Sequence, residues 1–99
     1  METIFTYVDG NGLVELEIPK EVVTKGFHCG QCDNDVEELI NMPFIKNQLD
    51  KYSDQELINS LTEVWDDSNT IKNADRKTNE MRAVWIACGN IQEELYSNE

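Results

Sequence analysis

The sequence predicts an α+β domain in which an N-terminal β-hairpin packs on a bundle of three to four helices. Three observations predict it. Two β-rich runs flank an Asn-Gly pair at the start, and the remainder repeats its apolar residues at helical spacing. No linker, internal repeat or low-complexity stretch divides the 99 residues, a length that makes one ordinary domain. The expected organisation is a single domain over 1–99, with the hairpin at 3–18 and the helical part at 33–97.

Ile4 to Val8 and Leu13 to Ile18 read as the two strands, joined by Asp9-Gly10-Asn11-Gly12. Asn-Gly supplies the positive φ angles that a tight hairpin turn requires. Val14, Leu16 and Ile18 alternate with Glu15 and Glu17, which marks one buried face and one wet face. A two-stranded hairpin is marginal alone, so it must lie against helices. Asp9-Gly10-Asn11 also resembles the start of a calcium loop, but Leu13 stands where a ligand is needed and the later Glu is missing.

Pro19 can open a short helical turn, Lys20 to Lys25, closed by Gly26. After Phe27-His28-Cys29-Gly30-Gln31-Cys32, Asp33 caps a helix with Val36, Leu39 and Ile40 on its apolar face. Pro43 interrupts that helix and starts the next, which carries Phe44, Ile45, Leu49 and Tyr52. Ser53-Asp54-Gln55-Glu56 is a capping box for a third helix with Leu57, Ile58, Leu61, Val64 and Trp65 at helical spacing. Asp66 to Thr70 reads as a polar loop. One last helix is expected from about Ile71 or Lys72 toward Tyr96, striped by Met81, Val84, Trp85, Cys88, Ile91 and Leu95. Trp65 and Trp85, like Phe5, Phe44 and Tyr52, read as core side chains rather than interface anchors.

Charge bounds the function. Twenty Asp/Glu stand against eight Lys/Arg, for a net charge of −12. Binding to a phosphate backbone depends on Lys and Arg displacing counterions, so direct nucleic-acid binding is not expected, nor is binding to an anionic membrane. The acids are unevenly spread. Gly26 to Ile45 holds Asp33, Asp35, Glu37 and Glu38 with no Lys or Arg, and Ser53 to Ile71 holds Asp54, Glu56, Glu63, Asp66 and Asp67 with none. Lys72, Arg76, Lys77 and Arg82 gather at the start of the last helical segment, where they can pair with those acids. Spaced carboxylates can also imitate the phosphate array of DNA and occupy a basic groove on another protein. The candidate partner-binding residues are Asp33, Asp35, Glu37, Glu38, Asp54, Glu56, Asp66 and Asp67.

No catalytic arrangement stands out. His28 is the only histidine and no serine sits in a nucleophile-elbow context, so a non-enzymatic protein is expected. The sharpest alternative is His28-Cys29-x-x-Cys32, whose two thiolates and imidazole could hold zinc, with Cys88 as a distant fourth ligand. Cys88 falls on an apolar stripe and reads instead as a buried core cysteine. Cys29-Gly30-Gln31-Cys32 at a helix start also resembles the thioredoxin redox motif, but everything after Asp33 reads as helix rather than the further strands that fold needs. No cofactor is expected. The odd count of three cysteines, the lack of a signal-peptide pattern after Met1-Glu2 and the lack of a long apolar run predict a cytoplasmic protein.

Gly30-Gln31-Cys32-Asp33 with Asp35-Val36, then Pro43, Ile45 and Gln48-Leu49, then Trp65-Asp66, then Arg82 with Trp85-Ile86-Ala87 and Ile91, form one further pattern. It resembles small uncharacterised open reading frames of tailed bacteriophages and mobile elements. The resemblance implies a phage-type setting in a host cytoplasm and no particular activity. Small acidic proteins of that setting are often inhibitors of host machinery, including defence systems, and a phage structural or assembly component is the other expectation.

Overall fold

Alternating side chains build the hairpin. In the computed structural model, which describes residues 2–21 and 33–97, strands β1 (Thr3–Tyr7) and β2 (Glu15–Pro19) pair antiparallel. The register sets Thr6 opposite Leu16 and Ile4 opposite Ile18. Val14, Leu16 and Ile18 are fully buried and Ile4 packs against them, whereas Glu15 and Glu17 are exposed. The predicted wet and dry faces are therefore the observed ones.

The connection between the strands is longer than the tight turn that Asn11-Gly12 predicts. Residues 8–14 form it, and among the described residues only Gly12 has a positive φ, 71°. The reason is Asp9. Its carboxylate, 3% exposed, accepts from the backbone N–H of Asn11 at 3.1 Å, of Leu13 at 3.0 Å and of Val14 at 3.2 Å. A fourth bond comes from the Ser60 hydroxyl at 2.8 Å. A loop wound around one buried carboxylate satisfies backbone donors that a two-residue turn would leave to a strand ladder. It also fills both carboxylate oxygens with N–H and O–H donors, a setting opposite to that of a calcium ligand.

Helices α1 (Asp33–Asn41), α2 (Pro43–Leu49) and α3 (Asp54–Val64) follow where the sequence predicts them, except that Tyr52 falls after α2 and Trp65 is the extended residue that ends α3. Pro43 starts α2 with Met42 in an extended conformation before it, and Ser53 with Glu56 makes the capping box of α3. The last predicted helix is two. Asp67 caps α4 (Ser68–Asn73), so most of the predicted polar loop is helical. Ala74 is extended, with φ −79° and ψ 155°, and α5 (Arg76–Ser97) then runs to the end of the described chain. Two short-range caps drive the break. The Asp67 carboxylate accepts from Thr70 N–H at 3.2 Å, and the Asp75 carboxylate from Thr78 N–H at 2.9 Å. The Asn79 side chain, buried on α5, donates to the Ile71 carbonyl at 3.1 Å and so closes the C-terminal end of α4.

The core lies between the hairpin's inner face and the helices. On α5, Ala83, Val84, Ala87, Cys88 and Ile91 are fully buried, and the two alanines let neighbouring elements approach closely. Val36, Leu39 and Ile40 of α1, Ile45 and Leu49 of α2, Leu57 and Leu61 of α3 and Ile71 of α4 join it. Met81 and Trp85 are partly buried against this cluster, and the placement of the Leu95 side chain lies outside what the structure describes. Phe44, Tyr52 and Trp65 are also packed at its margin, but Phe5 is 49% exposed, so the core assignment for that residue is corrected. Strand parity explains it, because Ile4, Thr6 and Val8 take the inner face and leave Phe5 outside.

Asp9→Ala should strand several backbone donors and cost about 3 kcal/mol, whereas Ser60→Ala removes one bond of several and should cost about 1 kcal/mol. Urea denaturation of both variants checks the order. Equal, small effects would show that the loop holds without its carboxylate.

Candidate interaction surface

The eight predicted acidic residues divide by what surrounds them. Glu37 of α1 receives Lys77 Nζ at 2.7 Å, and Asp54 of α3 receives Arg76 Nη1 at 2.6 Å. Arg76 and Lys77 are adjacent at the start of α5, so they tie the middle of α1 and the first residue of α3 to it. Arg76 does more than pair. Its Nη2 donates to the Leu49 carbonyl at 2.9 Å and its Nε to Glu80 at 3.3 Å, which joins α2, α3 and α5 at one guanidinium. The Asp54 hydrogen bond, and then Glu80, raise the pKa of Arg76; the Glu37 hydrogen bond raises that of Lys77. Both cations are fixed locally by partly exposed pairs of modest strength.

Glu56 returns to its own helix, accepting from Ser53 N–H at 3.0 Å. Asp67 is a cap, and the Thr70 hydroxyl, 2.7 Å away, with the Thr70 N–H holds its carboxyl below the ordinary 3.8. Thr78 does the same for Asp75, its side chain first and its backbone second. Glu38 and Asp66 are exposed and make no hydrogen bond or ion pair among the described residues. The side-chain placements of Asp33 and Asp35 lie outside what the structure describes. The acidic set is therefore two populations: carboxylates holding helix ends, and carboxylates facing solvent.

The metal alternative rests on His28, Cys29 and Cys32, which lie outside the described residues. Cys88 is buried in the core, as its stripe predicts. Among the described residues no group of three His, Cys, Asp or Glu side chains is placed to hold a metal ion. Ser60 is the one buried hydroxyl beside a carboxylate among them, and both are engaged in the loop clasp. Trp65 and Trp85 meet edge to face, 6.4 Å between centroids, with the Arg82 guanidinium 6.0 Å from the Trp65 ring centre.

A second surface was not visible from the acidic runs. On the outer face of the hairpin Phe5 and Tyr7 are 49% and 48% exposed and pack edge to face at 5.4 Å. The register sets Phe5 opposite Glu17 and Tyr7 opposite Glu15. The two hairpin edges differ. The Gln48 amide clasps Glu17 on the outer edge of β2, accepting from its N–H at 2.7 Å and donating to its carbonyl at 2.9 Å. The Tyr52 hydroxyl bridges the N–H and carbonyl of Glu15, each at 3.2 Å. Two side chains thus stand in for a third strand. Because Glu15 and Glu17 point their backbone groups away from β1, their partners Tyr7 and Phe5 point theirs away from β2. On that β1 edge Asn90 of α5 donates to the Tyr7 carbonyl at 3.0 Å, while the outward backbone groups of Thr3 and Phe5 meet no partner among the described residues. The run Ile4-Phe5-Thr6-Tyr7-Val8, apolar on both faces, is the sequence signal for this surface.

Comparison with protein families, with curated proteins and with solved structures finds no match. Among the described residues no helix is long and apolar enough to cross a membrane.

The depressed carboxyls give a signed pH dependence. A carboxyl whose folded pKa lies below its unfolded value stabilises the fold above the unfolded pKa, and that contribution is lost as pH falls through the folded pKa. Asp67→Asn/Asp75→Asn keeps both caps without charge, so its melting temperature should lie below that of the unsubstituted protein at neutral pH. The gap should close as pH falls below about 4. Thermal melts across that range check it, and a gap unchanged in acid would assign the caps to geometry rather than charge.

Proposed function

We propose that this protein is a non-enzymatic, acidic interaction module whose helical surface engages a basic surface of a partner protein. In a phage setting such a module acts as an inhibitor of a host nucleic-acid-binding or defence protein, imitating DNA. The observation that supports the reading is the local capture of cations against a net charge of −12. Arg76 and Lys77 are held by Asp54, Glu80 and Glu37, and Arg82 lies against Trp65 and bonds Asn79, while Glu38 and Asp66 stay in solvent. With Arg76, Lys77 and Arg82 each engaged by neighbouring side chains, the excess of acids over bases leaves the outward field negative. Such a field steers a basic partner to the surface, sets its orientation and weakens as salt rises.

The test is a pull-down with the tagged protein from a bacterial lysate at low and high salt, with duplex DNA as competitor. A basic nucleic-acid-binding protein should be retained at low salt, released at high salt and displaced by the duplex. A variant carrying Asp33→Asn, Asp35→Asn, Glu38→Gln and Asp66→Asn should retain it at least about tenfold more weakly, since each charge lost reduces steering and complementarity. Retention by that variant equal to the original would sink the acidic-surface reading.

A further inference from the structure

The β1 edge of the hairpin, whose backbone groups at Thr3 and Phe5 meet no partner among the described residues, supports an inference separate from the acidic helices. Strand edges present unpaired N–H and C=O groups that template another strand, and proteins ordinarily cover, charge or twist them. Here the β2 edge is closed at Glu15 and Glu17 by Tyr52 and Gln48. Among the described residues the β1 edge has no partner over Thr3 and Phe5, and the strand carries two of the four most exposed large apolar side chains, Phe5 and Tyr7. We infer that β1 is a docking strand, to which an extended basic segment of a partner protein adds as a third strand.

Three features select that occupant. Main-chain bonds at Thr3 and Phe5 fix the segment as extended, and the bond from Asn90 to the Tyr7 carbonyl limits it at the other end. The rings of Phe5 and Tyr7, set edge to face and each about half exposed, offer apolar ring faces against which aliphatic stems and guanidinium planes can pack. Glu15 and Glu17, exposed on the same face one strand further in, supply the charge that draws Arg or Lys side chains across those rings. A second copy of the chain is the wrong occupant electrostatically. Two hairpins joined edge to edge would bring their glutamates onto one face, and each chain carries −12. The inference goes beyond the helical acidic surface and does not depend on it.

The probe is a short synthetic peptide alternating arginine and valine, titrated into isotopically labelled protein and followed by amide chemical shifts. The amides of Thr3, Phe5 and Tyr7 should shift saturably, and salt should weaken the binding. Methylating the peptide nitrogens that face β1 should weaken binding about tenfold or more, since it removes the strand bonds and leaves the charge. Phe5→Thr/Tyr7→Thr keeps strand propensity and should weaken it similarly, while Glu38→Gln/Asp66→Asn should leave it unchanged. Equal binding by the methylated peptide would overturn strand addition, and shifts confined to α1 and α3 would move the contact to the helical acids. No binding beyond that of a glutamate-valine peptide would overturn the basic occupant. A concentration-dependent dimer whose interface maps to β1 would assign the edge to a second copy instead.

Discussion

The hairpin keeps its place because one carboxylate is buried in its loop. Asp9 collects N–H groups from Asn11, Leu13 and Val14 and at the same time takes a hydroxyl from Ser60, 51 positions away on α3. An isolated carboxylate at that depth would be far too costly to desolvate, so the arrangement exists only when all its donors converge. That convergence fixes the loop and docks it on α3 in one step. It brings Val8 and Val14 into the core and sets the strand register that buries Leu16 and Ile18. Any loosening there would release the inner face of the sheet from the helices.

The same physics recurs wherever an element ends. Gln48 and Tyr52 complete the β2 edge, Asn79 completes α4, and Arg76 completes the Leu49 carbonyl of α2. In each case a side chain from a distant element meets backbone groups that short elements leave unpaired. Short elements have many ends relative to their length, so a chain of short helices and a two-stranded sheet needs such groups to hold together. No buried side-chain nitrogen or oxygen among the described residues is left without a partner.

What was legible in the sequence follows from range. The hairpin, the Pro43 break and the Ser53–Glu56 box depend on neighbours in the chain, and each was readable from pattern or spacing. The division of the last helix rests on local signals too, since Asp67 and Asp75 each stand three residues before a threonine. Those signals were passed over because the stretch from Ile71 to Met81 holds neither Gly nor Pro to mark a break. The loop around Asp9 was not legible, because Ser60 is remote and Asn-Gly suggests the shorter turn. Among the candidate acids, sequence could count charges but not separate the caps, Glu56 and Asp67, from the solvated Glu38 and Asp66. The exposed aromatic pair was hidden for a similar reason. Phe and Tyr between apolar neighbours read as core until the opposite strand shows which parity is buried.

The distribution of these devices narrows what the outer surface can be for. On the helical side, Arg76 and Lys77 at the start of α5 pair with Asp54 of α3 and Glu37 of α1, while Glu38 and Asp66 face solvent. On the sheet side, polar side chains seal one edge with four hydrogen bonds, while on the other Asn90 reaches Tyr7 and none among the described residues reaches Thr3 or Phe5. In a fold where Gln48, Tyr52, Asn79 and Arg76 each meet backbone groups of another element, an edge without a partner among the described residues at Thr3 and Phe5 departs from that pattern. Departures of that kind, where local rules are otherwise consistent, fall at functional positions more often than elsewhere. The aromatic pair beside that edge stays about half exposed although the Tyr7 ring lies against Gly12, while the glutamates next to it oppose self-pairing and favour a positively charged strand. Charge and topology thus point outward at the same place.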